Sequence, residues 1–252
     1  MTPDPLFDIV GKRVLITGAS SGLGRHFAQF LASRGACVVL AARRAEALDQ
    51  ACREITKNGG EAAPLVLDVA DGQAVRVALA DEWFDIVVNN AGISRTGALM
   101  DLSPEDWQSV IDVDLSAAFN VAQAAARGMR DSGKGGSIVN VASILGKRVV
   151  GGVGAYTAAK AGLVQITRAM ALEWARFDIR VNALCPGYFS TEINRGFFES
   201  EHGQAMIKRV PMRRIGDLSD LDGPLLLLAS DAGRFMTGTD IVADGGHLVS
   251  GL

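Results

Sequence analysis

The fold is decided by the segment Arg13-Val14-Leu15-Ile16-Thr17-Gly18-Ala19-Ser20-Ser21-Gly22-Leu23-Gly24. Its apolar start predicts a strand, and a helical pattern from Gly22 to Arg34 follows the glycine-rich turn directly. Glycines in such a turn let the backbone approach a pyrophosphate closely, and the new helix points its free amides at the anion. The spacing is G-x-x-x-G-x-G, so a tight turn that binds nothing is the alternative at this point.

Strands and helices alternate along the rest of the chain. The strands are nearly all apolar, which is typical of parallel strands that helices cover on both faces. The pattern therefore predicts an α/β fold with a doubly wound parallel sheet of about seven strands, flanked by helices. Further strands are predicted at 37–41, 64–67, 85–89, 137–141, 180–184 and within 239–252, and further helices at 45–58, 71–82, 103–129 and 155–176.

The chain reads as one unit. No linker, internal repeat or low-complexity tract interrupts the alternation, so we expect a single domain over residues 1–252. The segment from Tyr188 to Arg214 breaks the rhythm, because it is long and mixes aromatic residues such as Phe197 and Phe198 with charges. It follows a strand end, where substrate loops lie in this architecture. We predict a substrate lid over 188–214.

Charge and composition favour a small-molecule partner. The net charge is -3 and Lys and Arg form no long block, which argues against a nucleic-acid partner or an anionic membrane surface. No apolar stretch is long enough to span a membrane, and Met1 to Val10 lacks the pattern of a secretory signal. We expect a cytoplasmic protein.

Neither cysteine nor histidine forms a recognisable site. The three cysteines are widely spaced, which argues against disulfides and zinc, and the three histidines lack metal-ligand spacing. We expect no metal and read the cysteines as packing residues. They are Cys37, Cys52 and Cys185, and the histidines are His26, His202 and His247.

Tyr156 precedes Lys160 by one helical turn. Positions i and i+4 share a helix face, so the phenol and the ammonium can address the same pocket. A nearby cation stabilises a phenolate, which would make Tyr156 a usable proton donor and acceptor. Taken alone, the pair is equally compatible with a helix residue that has a chance lysine neighbour.

At these positions the chain resembles the short-chain dehydrogenase/reductase family. The resemblance spans nearly the whole chain and is to members such as the 3-oxoacyl reductases and carbonyl reductases. It implies a Rossmann-type fold. It also implies hydride transfer between NADP(H) or NAD(H) and a carbonyl or secondary alcohol. The first glycine motif matches T-G-x-x-x-G-x-G, and further matches follow in order: Asp68-Val69, Asn89-Asn90-Ala91-Gly92, Ser143, Tyr156-x-x-x-Lys160, Pro186-Gly187 and Thr191.

The resemblance also implies which residues contact the cofactor. Asp68 would hold the adenine amino group, although it could instead cap the helix that begins near Asp71. Pro186-Gly187 and Thr191 would clamp the carboxamide, and Phe189, where the family commonly has Ile or Val, would contribute through its backbone. The implied set is Gly18, Ser20, Ser21, Gly22, Leu23, Gly24, Asp68, Val69, Asn90, Ala91, Gly92, Tyr156, Lys160, Pro186, Gly187, Phe189 and Thr191.

The end of the second strand bears on the choice of cofactor. An NAD-preferring member would usually place an acid near Ala42, and none is present in Leu40-Ala41-Ala42-Arg43-Arg44. Arg43 can instead pair with a 2′-phosphate, for which a guanidinium is well suited. We therefore predict NADP(H) over NAD(H), with a solvated loop arginine as the alternative.

Three residues carry the implied chemistry. Tyr156 would exchange the proton with the substrate oxygen, Ser143 would orient that oxygen, and Lys160 would tune Tyr156 and bind the nicotinamide ribose. Asp114 departs from the family, because most members carry Asn at its position. We expect it to pair with Lys160 or hydrogen-bond nearby. If the alignment with the family is shifted, Asp112 would take this position instead. Alternatively, the Asp114 side chain faces away and only caps local backbone.

The sequence gives weaker indications of the substrate and of the oligomeric state. Lys147 and Arg148 could meet an acidic or carrier-bound substrate, or be solvated. Resemblance to the family implies a dimer or tetramer, packed through the helix that contains Tyr156 and the alanine-rich stretch 117–126. A catalytically silent dinucleotide-sensing protein is the alternative function on this fold, and a lyase or epimerase is a minor one. Candidate pocket residues are Ile93, Ser94, Leu145, Val150, Tyr188, Phe197 and Phe198.

Overall fold

The computed structural model describes residues 4–190 and 195–250. In this part of the chain, all strands join one parallel sheet in the order β3-β2-β1-β4-β5-β6-β7. The order reverses between β1 and β4, and the crevice at such a switch point is where ligands bind in doubly wound folds. The strands are β1 (Arg13–Thr17), β2 (Cys37–Ala42), β3 (Glu61–Val66), β4 (Ile86–Asn89), β5 (Gly136–Val141), β6 (Ile179–Pro186) and β7 (Asp240–Ala243).

Helices cover both faces of the sheet. Phe27 and Leu225 belong to the apolar layer on one face, formed with α1, α2 and α9, whereas Val75 and Met129 belong to the other, formed with α3, α5 and α6. Burial on both faces explains why the central strands are continuously apolar. The helices are α1 (Gly22–Ser33), α2 (Ala45–Lys57), α3 (Gly72–Ala78), α4 (Pro104–Ile111), α5 (Ala117–Ser132), α6 (Gly154–Trp174), α7 (Arg195–Glu199), α8 (Glu201–Ile207) and α9 (Asp222–Ala229).

Two predicted elements have different bounds in the structure. Strand β3 begins at Glu61 rather than at Pro64, and it is an edge strand with mostly exposed residues, so its apolar signal is weak. An edge position also tolerates a proline, which lacks an N–H. Helix α3 ends at Ala78 rather than near Glu82, and Asp71 caps its start by accepting hydrogen bonds from the next free amides.

The helix predicted over 103–129 is interrupted at its centre. It starts as expected, since the Ser103 hydroxyl accepts a 3.0 Å hydrogen bond from the Asp106 amide. A π-helical turn over Asp112–Ser116 then separates α4 from α5. Such turns insert an extra residue into the helix and occur often at functional sites. The hydrophobic period of the sequence does not indicate this one.

The alanine-rich stretch 117–126 packs inside the subunit. Its alanines, including Ala117, Ala122 and Ala125, lie in the apolar layer with Met129 and the neighbouring strands. The close packing that these small side chains allow is therefore used within one chain. Exposed apolar residues on neighbouring elements, such as Leu172 on α6, lie on the surface of the single subunit.

The predicted lid contains two short helices, α7 and α8. Phe198 is buried and meets the Tyr188 ring edge-on, with ring centroids 6.3 Å apart. Thr191, the side chain of Phe197 and the C-terminal Leu252 lie outside the described residues.

Three further observations concern the described ranges. No helix there is both long and apolar enough to cross a bilayer. Within the same ranges, no cluster of three or more His, Cys, Asp or Glu side chains is placed to hold a metal ion. The three cysteines are free thiols.

Candidate active site

The predicted site residues follow strand ends. Because the strands are parallel, the carboxyl ends of β1, β2, β4, β5 and β6 meet at one edge of the sheet. The glycine-rich turn follows β1, Arg43 follows β2, and Asp68 and Val69 follow β3. The segment Asn90-Ala91-Gly92 follows β4, and Ser143 follows β5. The topology therefore brings these segments together at the switch point.

The glycine-rich turn is shaped by close backbone contacts. A Cβ at Gly18 would lie 2.8 Å from the Ala91 Cα, and one at Gly24 would lie 2.5 Å from the Gly18 carbonyl oxygen. Gly18 and Gly22 also have positive φ angles, 66° and 55°. Only glycine fits these positions without strain. Leu23, between the last two glycines, packs against the apolar layer of α1.

Thr17 ties this turn to the segment after β4. Its hydroxyl accepts hydrogen bonds from the amides of Asn90 at 3.0 Å and Ala91 at 3.1 Å. The Asn90 side-chain amide in turn donates to the Thr17 carbonyl at 3.0 Å. Thr17 is not among the predicted site residues. The signal was available, because Thr17 is the polar end of an apolar strand next to the first glycine.

Arg44, rather than Arg43, contacts the glycine-rich turn. The Arg44 guanidinium donates to the Ser20 hydroxyl at 2.9 Å and to the Ser21 hydroxyl at 2.8 Å. Arg43 is exposed, with its Nη1 atom 3.9 Å from Asp68 Oδ2. Asp68 Oδ1 accepts from the Ala70 amide at 3.0 Å. The cap of α3 is Asp71, so Asp68 does not perform the helix-capping role held open for it.

The segment after β6 passes close to the segment after β7. A Cβ at Gly187 would lie 2.7 Å from the Asp244 Cα, and the Gly187 amide donates to the Ala243 carbonyl at 2.9 Å. Pro186 is the last residue of β6. The Phe189 side chain is buried against Gly216, so its ring fills the core. Thr191 lies outside the described residues.

Ser143 begins the turn after β5. Its hydroxyl accepts a 3.0 Å hydrogen bond from the Leu145 amide and is buried. That turn rests on helix α6, since a Cβ at Gly146 would lie 2.7 Å from the Lys160 carbonyl oxygen. The turn and the helix that carries Tyr156 and Lys160 are thus held together.

Lys160 occupies a buried position beside Tyr156. Its side chain is only 5% exposed. The ammonium donates to the Val141 carbonyl at 3.0 Å and lies 3.1 Å from Asp114 Oδ2. It also lies 5.4 Å from the centroid of the Tyr156 ring. A buried cation requires such partners, because burial without them would disfavour the charge.

Asp114 lies in the π-helical turn, and its side chain is fully buried. Besides the contact with Lys160, its Oδ1 atom accepts a 2.7 Å hydrogen bond from the Ile93 amide. Asp112 faces elsewhere, where it accepts from the Gln108 side chain at 2.7 Å. Of the two acids held open by the sequence, the structure thus places Asp114 beside Lys160.

Gly92 leaves the space that this pair occupies. A Cβ there would lie 2.9 Å from Asp114 Oδ2 and 3.4 Å from Lys160 Nζ. The end of the Asn-Asn-Ala-Gly segment therefore packs directly onto the charged pair. This contact links the residues implied for cofactor binding with those implied for chemistry.

The sequence matches the family described as "Enoyl-(Acyl carrier protein) reductase" over residues 18–247. It is 39% identical to a gluconate 5-dehydrogenase of Gluconobacter oxydans, across 99% of this chain and 100% of that one. It is also 39% identical to an L-rhamnose 1-dehydrogenase (NAD(P)(+)) of Azotobacter vinelandii, across 96% of this chain and 98% of that one. The chain belongs to the short-chain dehydrogenase/reductase family.

A solved structure agrees with this assignment. The gluconate 5-dehydrogenase of Burkholderia cenocepacia, in complex with NADP and tartrate, superposes with a TM-score of 0.93 at 37% identity, over 98% of this chain and 99% of that one. As a short-chain dehydrogenase/reductase, this chain is an NAD(P)-dependent oxidoreductase that transfers hydride between a nicotinamide dinucleotide and a carbonyl or alcohol substrate. These relatives are dehydrogenases, so the silent-sensor and lyase alternatives gain no support.

Burial and neighbouring groups act in opposite directions on the pKa values of Asp114 and Lys160. Burial raises the pKa of the Asp114 carboxyl, while the Lys160 ammonium and the Ile93 amide oppose the rise. Burial alone would lower the pKa of Lys160, but the Tyr156 phenol and Asp114 outweigh it, so the pKa of Lys160 is raised. Lys160 and Ile93 thus stabilise the anion of Asp114 against the effect of burial, and Asp114 in turn stabilises the ammonium of Lys160.

We expect Asp114→Asn to keep substantial activity and to shift its pH dependence. The asparagine can still accept from Ile93, but it no longer raises the pKa of Lys160, so burial acts with less opposition. The ammonium is then lost at lower pH, and the alkaline limb of kcat/KM moves down by about one pH unit. Rates from pH 5 to 10 measure the shift. Superimposable profiles would show that the charge at Asp114 takes no part.

Gly92→Ala should disturb the charged pair directly. Its Cβ would crowd Asp114 and Lys160, and overpacking of this kind costs about 1–3 kcal/mol of stability. We expect a lower free energy of unfolding in urea and a fall in kcat of about tenfold or more. Gly97→Ala is the matched control, because nothing lies within 4 Å of a Cβ there. Equal effects of the two substitutions would contradict the packing argument.

Proposed function

We propose that the chain interconverts a secondary alcohol and a ketone with Tyr156 as the acid/base, Ser143 as the residue that orients the substrate oxygen, and NADP(H) as the preferred cofactor. The observation that carries this proposal is the position of the Lys160 ammonium, buried between Asp114 and the Val141 carbonyl and 5.4 Å from the Tyr156 ring centroid. A fixed cation at that place stabilises a phenolate.

The residues divide the work as follows. In the reductive direction the Tyr156 hydroxyl gives its proton to the developing alkoxide, and in the oxidative direction the phenolate takes the proton of the alcohol. The Ser143 hydroxyl accepts from Leu145, which leaves its own proton for the substrate oxygen. Lys160 holds a positive charge next to the phenolate throughout. A bound nicotinamide supplies or accepts the hydride.

The residues around the glycine-rich turn fit a dinucleotide. No side chain caps the first turn of α1, so its amides remain available to a pyrophosphate. Glycines at 18 and 24 keep the turn free of side chains that would block a close approach. Gly92 and Gly187 do the same at the ends of β4 and β6. Pro186, Gly187 and Thr191 remain our candidates for the carboxamide contact, and Asp68 and Val69 for the adenine.

Two arginines support the preference for NADP(H). Arg44 contacts Ser20 and Ser21 at the mouth of the turn, and Arg43 is exposed beside Asp68. Neither Ala42 nor its neighbours supply an acid for the ribose hydroxyls. We propose that Arg44 and Arg43 together bind the 2′-phosphate, since guanidinium groups suit this anion.

The substrate class is proposed from the relatives. Their names give gluconate and L-rhamnose as substrates, and the Burkholderia neighbour holds tartrate. All three are small polyhydroxylated compounds. We propose a substrate of that kind, bound under the lid over 188–214. The dimer or tetramer built on α6 and the cytoplasmic location stay predictions of the sequence.

Tyr156→Phe removes the proton donor and keeps the ring. We expect NADPH affinity within about threefold of the parent and turnover lower by about two to four orders of magnitude, which is the usual share of acid/base catalysis. NADPH fluorescence titration and initial rates give the two quantities. Near-normal turnover would refute the assignment.

Arg44→Ala and Arg43→Ala should each weaken NADPH selectively. Each removes a charge-assisted contact to the 2′-phosphate, so we expect a rise in the Kd for NADPH of about tenfold or more and little change for NADH. Arg53→Ala, an exposed arginine on α2, is the control for a general loss of positive charge. Equal losses for both cofactors would exclude a role in phosphate binding.

A further inference from the structure

The turn after Ser143 carries two cations with different surroundings. Lys147 forms a 2.6 Å ion pair with Asp240 Oδ2, and Arg168 contacts the same oxygen at 2.6 Å. Lys147 is therefore ion-paired within the fold and shares the Asp240 carboxylate with Arg168. It anchors the turn to β7 and α6.

Arg148 has no such ion pair among the described residues. Its Nη1 atom donates to the His247 carbonyl at 2.7 Å, and across the described ranges no carboxylate lies within ion-pair distance of its guanidinium. The group is half-buried. A guanidinium has five N–H donors in a planar fork, so one contact with a carbonyl leaves most of them available to a ligand.

Arg148 is linked to Tyr188 through His247, whose carbonyl it contacts. The rings of Tyr188 and His247 are 5.3 Å apart. Burial raises the pKa of Tyr188, the Arg148 guanidinium lowers it and the Tyr156 phenol adds to the rise. Arg148, His247 and Tyr188 thus form one neighbourhood. Arg148 belongs to the turn that begins at Ser143, and this turn packs on α6 where Gly146 meets the Lys160 carbonyl.

The other charged groups described in this neighbourhood form no ion pair with Arg148. Asp244 uses its two oxygens on the backbone, accepting from the Gly246 amide at 2.8 Å and the Leu248 amide at 2.7 Å. Burial, Arg148 and Arg209 lower the pKa of His247 against the pull of Asp244, so the imidazole is neutral at pH 7. Arg148 is therefore a half-buried cation without an ion-pair partner among the described residues, in addition to the Lys160 ammonium beside Tyr156.

We propose that Arg148 binds the carboxylate of a small hydroxy- or oxo-acid substrate whose reacting carbon lies at Tyr156. This inference rests on the proposed function and names its substrate class as anionic. A half-buried arginine with free donors matches a carboxylate in charge and in bidentate geometry. The acyl thioester of a carrier protein is less well matched, since its reacting end carries no carboxylate.

Gluconate and gluconamide test the proposal, because they share a carbon chain and differ in charge at one end. Each is titrated by calorimetry into the complex of the full chain with NADP⁺, and initial rates are measured alongside. We expect the parent to bind gluconate about tenfold or more tightly than gluconamide. Arg148→Gln should weaken the binding of gluconate by about 10- to 100-fold, with the kinetic effect mostly in KM. The same substitution should change the affinity for gluconamide by about twofold or less.

Two variants serve as controls. Arg148→Lys keeps the charge and loses the fork, so its gluconate affinity should fall between those of the parent and Arg148→Gln. Lys147→Gln removes the adjacent charge, which is already paired, and should leave gluconate affinity within about twofold. Unchanged melting temperature and NADPH affinity would show that Arg148→Gln is folded.

The proposal is overturned if the parent binds the two compounds equally or binds neither, or if Arg148→Gln weakens both alike. It is also overturned if a 3-oxoacyl thioester is turned over in preference and depends on Arg148. Failure of the proposed function is a separate result. In that case the parent protein would not bind NADPH, or it would turn over no ketone or alcohol, whether charged or neutral.

Discussion

The ion pair between Asp114 and Lys160 is the interaction on which the rest of the site depends. Both side chains are nearly or fully buried, and buried charges are costly unless they are paired and hydrogen-bonded. The structure meets that cost with the Ile93 amide on one side and the Val141 carbonyl on the other. The π-helical turn places Asp114 beside Lys160, and the missing side chain at Gly92 leaves room for the pair. The ammonium beside Tyr156 therefore has one position.

The central strands hold that position rigidly. The Asn89 side chain donates to the Ala118 carbonyl and to Asn140, and Asn140 donates to Thr167 on α6, all in the interior. This chain of hydrogen bonds connects β4, β5, α5 and α6, the helix that carries Lys160. Thr17 adds a link from β4 to the glycine-rich turn. The residues proposed for cofactor binding and for catalysis are thus connected to one hydrogen-bonded framework, which supports precise placement of reacting groups.

Much of the fold followed from local patterns, because buried parallel strands and amphipathic helices have strong signals. Edge strand β3 begins at Glu61 instead of the predicted Pro64, because its mostly exposed residues give a weak apolar signal. The π-helical turn left no trace in the hydrophobic period, so the position of Asp114 rested on family spacing alone. Arg44 was missed because adjacent arginines are indistinguishable until the loop geometry directs one of them to Ser20 and Ser21. Several alanines of α5 pack inside the chain, and the subunit contact expected along this stretch stays a prediction.

A double-mutant cycle on the buried pair tests this account most directly. The free energies of unfolding are measured in urea at neutral pH for the parent, Asp114→Asn, Lys160→Met and the double variant. If the two groups are a buried ion pair, each single change leaves its partner uncompensated, and the double variant is more stable than the sum of the single effects by about 1–3 kcal/mol. Additivity within about 0.5 kcal/mol would show that Asp114 and Lys160 do not support each other, and would contradict the account.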